Sequence, residues 1–278
     1  MVFYLAVILI TINTVIVWLS LRWIKVNHHK VYFKDLPRHL VDFKILQITD
    51  LHNRSSLRKT LDIWPNVRDI QKNTGIDIAV ITGDIILNRA NQITPHKEDL
   101  QLLASQVPTF YIEGNHDSPH YSKISNFMKK CGITCLYNTK ATIEHNGGLV
   151  DIIGTKDFIS LRNTGFAGLN ELFSPTASDE HPGRNFTIAL THQPQVWDKF
   201  KKTQPNLTLS GHTHGGQIRL PLLPTLYAPR QGVLPKYGQG FYNYGHAKLY
   251  VSVGIGATTF PIRFWNRPNI EVFELKGG

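Results

Sequence analysis

Residues 43–52 read FKILQITDLH, an apolar, β-branched run that stops abruptly at Asp50-Leu51-His52. A short run of this composition, bounded by polar residues, reads as a buried strand. Four more runs end the same way. Ile76–Thr82 hands over to Gly83-Asp84, Thr109–Glu113 to Gly114-Asn115-His116-Asp117, Phe186–Thr191 to His192, and Asn206–Ser210 to Gly211-His212-Thr213-His214. Leu149–Gly154 and Lys248–Val253 read as further strands. Helix-like stretches separate the early ones: Leu57–Asn73, interrupted at Pro65, then Pro95–Gln106 and Pro119–Lys130. This alternation predicts an α/β core with partly parallel strands, giving way to strands alone after about residue 140. In open α/β sheets ligand sites gather at the carboxyl ends of strands, so the five polar clusters are expected to meet at one rim.

Singly, each cluster has an ordinary reading: Asp50 as a helix N-cap, Gly83-Asp84 as a turn, His192 as a satisfied histidine. Five in the same position relative to a strand carry the signal. Asp50, His52, Asp84, Asn115, His192, His212 and His214 together offer imidazole, carboxylate and amide donors without a thiolate. Such a set suits Zn, Fe or Mn, and a carboxylate can bridge two ions. Seven ligands are too many for one tetrahedral zinc, but they fit a pair of ions with one shared ligand. Cys131 and Cys135 stand four apart, outside any CxxC, and read as ordinary thiols.

These blocks, Asp50-x-His52, Gly83-Asp84, Gly114-Asn115-His116-Asp117, His192 and Gly211-His212-Thr213-His214, resemble the motif set of the calcineurin-like metallophosphoesterases, in the family's order. The GHTHGGQIRLP run at 211–221 and the Tyr250–Phe264 stretch resemble its membrane-associated, YkuE-type branch. The resemblance implies a four-layer αββα sandwich of two mixed β-sheets. It implies that Asp50, His52 and His214 hold one divalent ion, that Asn115, His192 and His212 hold the other, and that Asp84 bridges them. Mn, Fe and Zn all remain open as the metal. It further implies a phosphodiester or pyrophosphate hydrolase using water activated between the ions. His116 would face the substrate to stabilise the phosphoryl transition state or protonate the leaving group. Many relatives carry an acidic residue three positions after the bridging Asp, where this chain has Leu87, so either Asp117 or Asn88 substitutes or His116 is less strongly polarised.

The 278 residues are 42% hydrophobic, which excludes a disordered chain, and two cysteines exclude a disulfide-stapled miniprotein. A net charge of +10 favours an anionic partner. None of the charge precedes Arg22, and residues 2–21 read VFYLAVILITINTVIVWLSL. Twenty residues at about 1.5 Å rise span about 30 Å, the thickness of a bilayer core. With no basic n-region and no small-x-small cleavage site, a retained transmembrane helix over 1–24 is expected rather than a signal peptide. Residues 25–42 then form a juxtamembrane segment and 43–278 one catalytic domain. Arg22, Lys25, Lys30, Lys34 and Arg38 follow closely, so the positive-inside rule points to a single-pass protein of the cell membrane with a cytoplasmic domain.

The Pro- and Tyr-rich segment Gly215–Tyr244 reads as a long ordered loop at the substrate rim, with Arg219, Arg230 and Lys236 as phosphate contacts. The membrane helix favours a lipid-linked substrate, and UDP-2,3-diacylglucosamine is the specific expectation drawn from the resemblance. A nuclease or cyclic-nucleotide phosphodiesterase of the same fold, and a non-catalytic binding platform, stand as alternatives. No specific nucleic acid is expected, because the basic residues are spread along the chain without a groove-forming patch. Gly254-Ile255-Gly256 lacks the third glycine and helix of a dinucleotide turn, and no Gly-x4-Gly-Lys loop occurs.

Overall fold

A computed structural model describes residues 23–52, 62–166, 168–173, 185–219, 223–256 and 263–278, with eight positions of a helix between Tyr4 and Val15. The strands are β1 (Lys25–Phe33), β2 (Lys44–Ile48), β3 (Ile78–Ile81), β4 (Thr109–Tyr111), β5 (Thr134–Cys135), β6 (Thr139–His145) and β7 (Gly148–Gly154), followed by β8 (Phe186–Leu190), β9 (Leu207–Ser210), β10 (Tyr227–Ala228), β11 (Gly232–Val233), β12 (Gly240–Tyr244), β13 (Ala247–Val251) and β14 (Asn269–Gly277). Among the described residues beyond Trp23 the α-helices are α1 (Trp64–Thr74), α2 (Lys97–Gln106), α3 (Tyr121–Lys130), α4 (Phe158–Thr164), α5 (Leu169–Leu172) and α6 (Trp197–Phe200). One six-stranded sheet runs β1-β14-β2-β3-β4-β5 and a second runs β12-β13-β9-β8-β7-β6. Both are mixed. In the first, β14 is antiparallel to β2 while β2, β3, β4 and β5 are parallel. In the second, β13, β9, β8 and β7 are parallel and the outer strands antiparallel.

The two-residue period of each strand sorts its side chains between layers. Along β3, Ile78 and Val80 enter the core between the sheets, where they meet Ile188 and Leu209. Ala79 and Ile81 face the opposite way, into the layer formed with Trp64, Val67, Leu100 and Ile124 of α1–α3. The outer face of the second sheet packs on Leu161, Leu169, Trp197 and Phe200 of α4–α6. Three apolar layers therefore separate four structural ones, as expected. Each fully buried Ile or Leu contributes roughly 1.5–3 kcal/mol, so the inter-sheet layer holds the two strand ends of the rim in fixed register.

Residues 57–61 of the expected helix lie outside the described residues; Pro65 sits in the first turn of α1, where its missing N–H has no intrahelical partner to lose. Residues 25–33, set apart above as juxtamembrane, form β1, which pairs in parallel with β14 from Lys25 to Phe33. The folded unit thus includes residues on the amino-terminal side of residue 43. The expected span over 1–24 lies mostly outside the described residues. Among those described, no helix is long and apolar enough to cross a membrane. The described positions Tyr4, Leu5, Val7, Ile8, Thr11, Ile12, Thr14 and Val15 are helical and exposed.

Candidate metal centre

Five strands end at one rim. Asp50 and His52 follow β2, Asp84 follows β3, Asn115 and His116 follow β4, His192 follows β8, and His212 and His214 follow β9. The chain turns sharply as it leaves each sheet, and φ is 52° at Asp50, 42° at His52, 52° at Asp84, 72° at His212 and 50° at His214. Left-handed backbone costs a non-glycine residue on the order of 1–2 kcal/mol, so the surroundings must fix it. Cross-strand bonds do so: Asp50 N–H donates to Gly83 O at 3.0 Å and His52 N–H to Asp84 O at 3.0 Å. The loops also touch. A Cβ on Gly114 would lie 2.2 Å from Asp84 Oδ1, and one on Gly83 (φ 90°) would lie 2.6 Å from Gly114 N. Only glycine permits that approach.

Among the described residues the side chains converge as three groups, two of them joined by the third. Ligand atoms of Asp50, His52 and His214 lie within 4.8 Å of one another, as do those of Asp84, His192 and His212. Asp84 also groups with His52 and His116, so Asp84 and His52 each belong to two groups. Asn115 Oδ1 is buried with no hydrogen-bond partner, and so is His212 Nε2.

The donor set fits divalent cations because imidazole and carboxylate atoms crowd together while Asn115 Oδ1 and His212 Nε2 are buried with no partner. His192 Nδ1 lies 2.8 Å from Thr82 O, a carbonyl that can only accept, so Nδ1 carries a proton. Its Nε2 points at Asp84 Oδ2 from 3.2 Å. His52 Nε2 stands 3.2 Å from His214 Nε2 and 3.5 Å from Asp84 Oδ2, while His214 Nε2 is 3.4 Å from Asp50 Oδ1. Arg263 donates to His214 Nδ1, so the His214 proton sits on Nε2, and protons on His192 and His214 bridge these groups where a cation would otherwise lie. Asp50 is held from behind, accepting from the Thr49 hydroxyl at 2.8 Å and from His212 N–H at 3.0 Å.

Burial shapes the charges. It lowers His52 to about 4 and His212 to about 3, and drives His214 well below the ordinary imidazole value, with the neighbouring cations adding to the effect. At His192 burial acts the same way but the Asp84 carboxylate outweighs it, raising the ring to about 10. Asp84 is held far below the carboxylate range, because His192 overcomes the upward push of burial. Burial lifts Asp50 to about 6. Neutral rings and an ionised carboxylate are the forms in which such groups bind metal, and binding there would displace the proton between His192 and Asp84.

His116 is half-buried, with its N–H donating to Asp84 Oδ1 at 2.9 Å and its ring 4.9 Å from that of His52. Asp117 does not orient it. The Asp117 carboxylate is fully buried and accepts from the N–H groups of Ile85, Ile86 and Gly114 and from the Tyr111 hydroxyl. His116 Nδ1 instead donates to the carbonyl of Leu87 at 2.6 Å. A backbone oxygen at position 87 meets the need that relatives meet with an acidic side chain. The Leu87 loop is itself pinned, since the Gln92 side chain accepts from the N–H groups of Leu87, Asn88 and Arg89.

The three expected phosphate contacts separate. Arg230 lies in the turn between β10 and β11 and its charge is felt at His212. Lys236 is committed elsewhere, 2.9 Å from both oxygens of Asp198, which also binds Lys201 and the Tyr237 hydroxyl. Arg219 lines a separate cleft. One residue of the centre had no distinguishing mark in the sequence. Arg263 is fully buried, donates to the carbonyls of Val253 and Gly256, and places Nη2 3.1 Å from His214 Nδ1.

The sequence matches the family model for calcineurin-like phosphoesterase over residues 43–216, a range that contains all seven expected ligands. It is 32% identical over 264 residues to the metallophosphoesterase YkuE of Bacillus subtilis (strain 168), covering 93% of this chain and 88% of that protein. It is 29% identical over 255 residues to the phosphodiesterase YaeI of Escherichia coli (strain K12), covering 90% and 87%. Among solved structures, the NAD nucleotidase NadN of Haemophilus influenzae shares the fold with a TM-score of 0.50 at 15% identity, over 76% of this chain and 44% of that one. By sequence match, by layer architecture and by the ligand rim, this chain belongs to the calcineurin-like phosphoesterase family.

Proposed function

We propose that the chain is a two-metal phosphodiesterase or pyrophosphatase, held at a membrane by its apolar amino-terminal segment. Asp50, His52 and His214 hold one ion, Asn115, His192 and His212 the second, and Asp84 serves both. Two such ions, when bound, polarise phosphoryl oxygens and lower the pKa of water. The chain's own groups do the rest. Thr82 O fixes the His192 tautomer and Leu87 O that of His116, so each ring presents Nε2. His116 lies beside both Asp84 and His52, where it can give a proton to a departing oxygen or stabilise charge on the phosphoryl group. Arg230 adds positive charge on the His212 side for an anionic substrate. The observation that carries this reading is the convergence of donor atoms of Asp50, His52 and His214, and of Asp84, His192 and His212, within 4.8 Å, with Asn115 Oδ1 and His212 Nε2 buried and unpartnered. A binding platform without catalysis would be under no constraint to keep all seven donors in that arrangement.

The membrane tether rests on the uncharged apolar segment 2–21 and on the exposure of its described helical residues. It supports a lipid-linked phosphodiester or pyrophosphate, of which UDP-2,3-diacylglucosamine is one, as the substrate. The full-length protein should hydrolyse bis(p-nitrophenyl) phosphate with added Mn²⁺, and Asp84→Asn should lower the rate by about 10³-fold or more. Turnover that survives both chelation and that substitution would refute the proposal.

A further inference from the structure

Next to the His214–Gly216 turn lies a second concave site, a cleft of about 370 Å³. Three cations line it, Lys25, Arg219 and Arg267, with the amides of Asn27, Asn266 and Asn269, and among the described residues no carboxylate does. The fold builds it from three separate parts of the chain. Lys25 and Asn27 are two apart on β1 and so project to one face; Lys25 pairs with Asn269 of β14, and its N–H donates to Pro268 O at 2.8 Å. Arg219 is fixed by its own N–H donating to Phe264 O at 2.9 Å, which sets it beside Trp265. Arg267 donates through Nε to the Trp23 carbonyl at 3.1 Å, its guanidinium 4.9 Å over the Trp23 ring.

The nearest carboxylate along β14 offers these cations nothing. Glu271 is fully buried and accepts from Asn27 at 3.0 Å, His29 at 2.8 Å and Ser252 at 3.1 Å. Among the described residues, none of the three cations pairs with a carboxylate. Three like charges gathered around one cleft repel one another unless an anion joins them.

Two features choose the anion. Trp23 and Trp265 are 63% and 52% exposed, and indole at a rim is characteristic of the headgroup level of a bilayer. Lys25 also stands four residues beyond the uncharged segment 2–21, so the cleft opens where that segment delivers the chain. We infer that this cleft binds the phosphate of an anionic phospholipid headgroup and seats the catalytic domain against the bilayer surface. The choice of a lipid rests on the membrane-tether reading above; it does not depend on hydrolysis.

The test uses the full-length protein in non-ionic detergent, with bound lipid counted by native mass spectrometry against phosphatidylglycerol, phosphatidylcholine and inorganic phosphate. Wild type should retain phosphatidylglycerol at least 10-fold more tightly than phosphatidylcholine. Lys25→Gln combined with Arg267→Gln should remove that preference, and Arg267→Lys alone should keep most of it. Asp84→Asn should abolish hydrolysis and leave the lipid count unchanged, so a failure of the phosphoesterase reading is told apart from a failure of this one. Equal retention of the two lipids by wild type overturns the inference whether or not the double variant folds. So does displacement of phosphatidylglycerol by millimolar inorganic phosphate, which would make the cleft a free-phosphate site.

Discussion

His116 and Leu87 show how a missing side chain is replaced. The imidazole needs an acceptor at Nδ1 to hold its tautomer, and the Leu87 carbonyl supplies it at 2.6 Å. Because the acceptor belongs to the backbone, the side chain at 87 is free to vary. His116→Ala should therefore lower kcat by roughly 10²–10⁴-fold, the usual worth of a positioned acid, while Leu87→Ala changes it by no more than about threefold. Metal content measured on both variants should match wild type. A large loss in Leu87→Ala, or a bound-metal deficit in His116→Ala, would assign these residues differently. At the same scale the sequence was legible where chemistry clusters at strand ends: six of the seven proposed ligands, all but Asn115, fall in groups whose donor atoms lie within 4.8 Å of one another. It was not legible where an atom rather than a residue type does the task. The carbonyls of Thr82 and Leu87 have no side-chain signature, and Arg263 looks in one dimension like any other arginine.

At the scale of elements, α1 and the turn preceding α2 are joined by a buried polar contact, with Trp64 Nε1–H donating to His96 Nδ1 at 2.9 Å. That bond needs an unprotonated Nδ1. Burial accordingly lowers His96 below its ordinary 6.5, against the opposing pull of Asp99 and Asp62. As pH falls through about 6.5 the unfolded chain takes up the proton first, so the folded state binds fewer protons and loses stability until its own lower pKa is reached. His96→Asn keeps an acceptor for Trp64 and does not titrate. It should flatten the fall in Tm between about pH 7 and 5 relative to wild type, as followed by circular dichroism. An unchanged acid slope would place the sensitivity elsewhere. All seven strands read from apolar runs are present, because both faces of those strands are buried. β1 escaped because KVNHHKVYF alternates exposed and covered positions and carries two lysines and two histidines, as an edge strand does. Its partner β14 is nearly all buried, and only the pairing tells that the two belong together.

For the molecule as a whole, the ligand rim is also the seam between the sheets. Asp50, His52, Asp84 and Asn115 come from the first sheet, and His192, His212 and His214 from the second. Polar bonds already cross there: Gln47 Nε2 donates to Ser210 O at 3.1 Å, and His192 Nδ1 to Thr82 O at 2.8 Å. Ions held by these residues would tie both sheets to one another and bind only the folded chain. Each site filled at about 100 times its Kd adds about 2.7 kcal/mol. In a protein of this size about 1 kcal/mol moves Tm by about 2–4 °C, so chelation should lower Tm by roughly 5–10 °C per site lost. With Asp84 proposed to serve both ions, Asp84→Asn should weaken both sites and remove most of the difference between chelated and Mn²⁺-loaded protein. Calorimetry on the four samples decides the matter. Equal Tm for wild type with and without chelator would mean that the seam is held by the protein's own hydrogen bonds and that the acceptor-rich rim does not require a cation to fold.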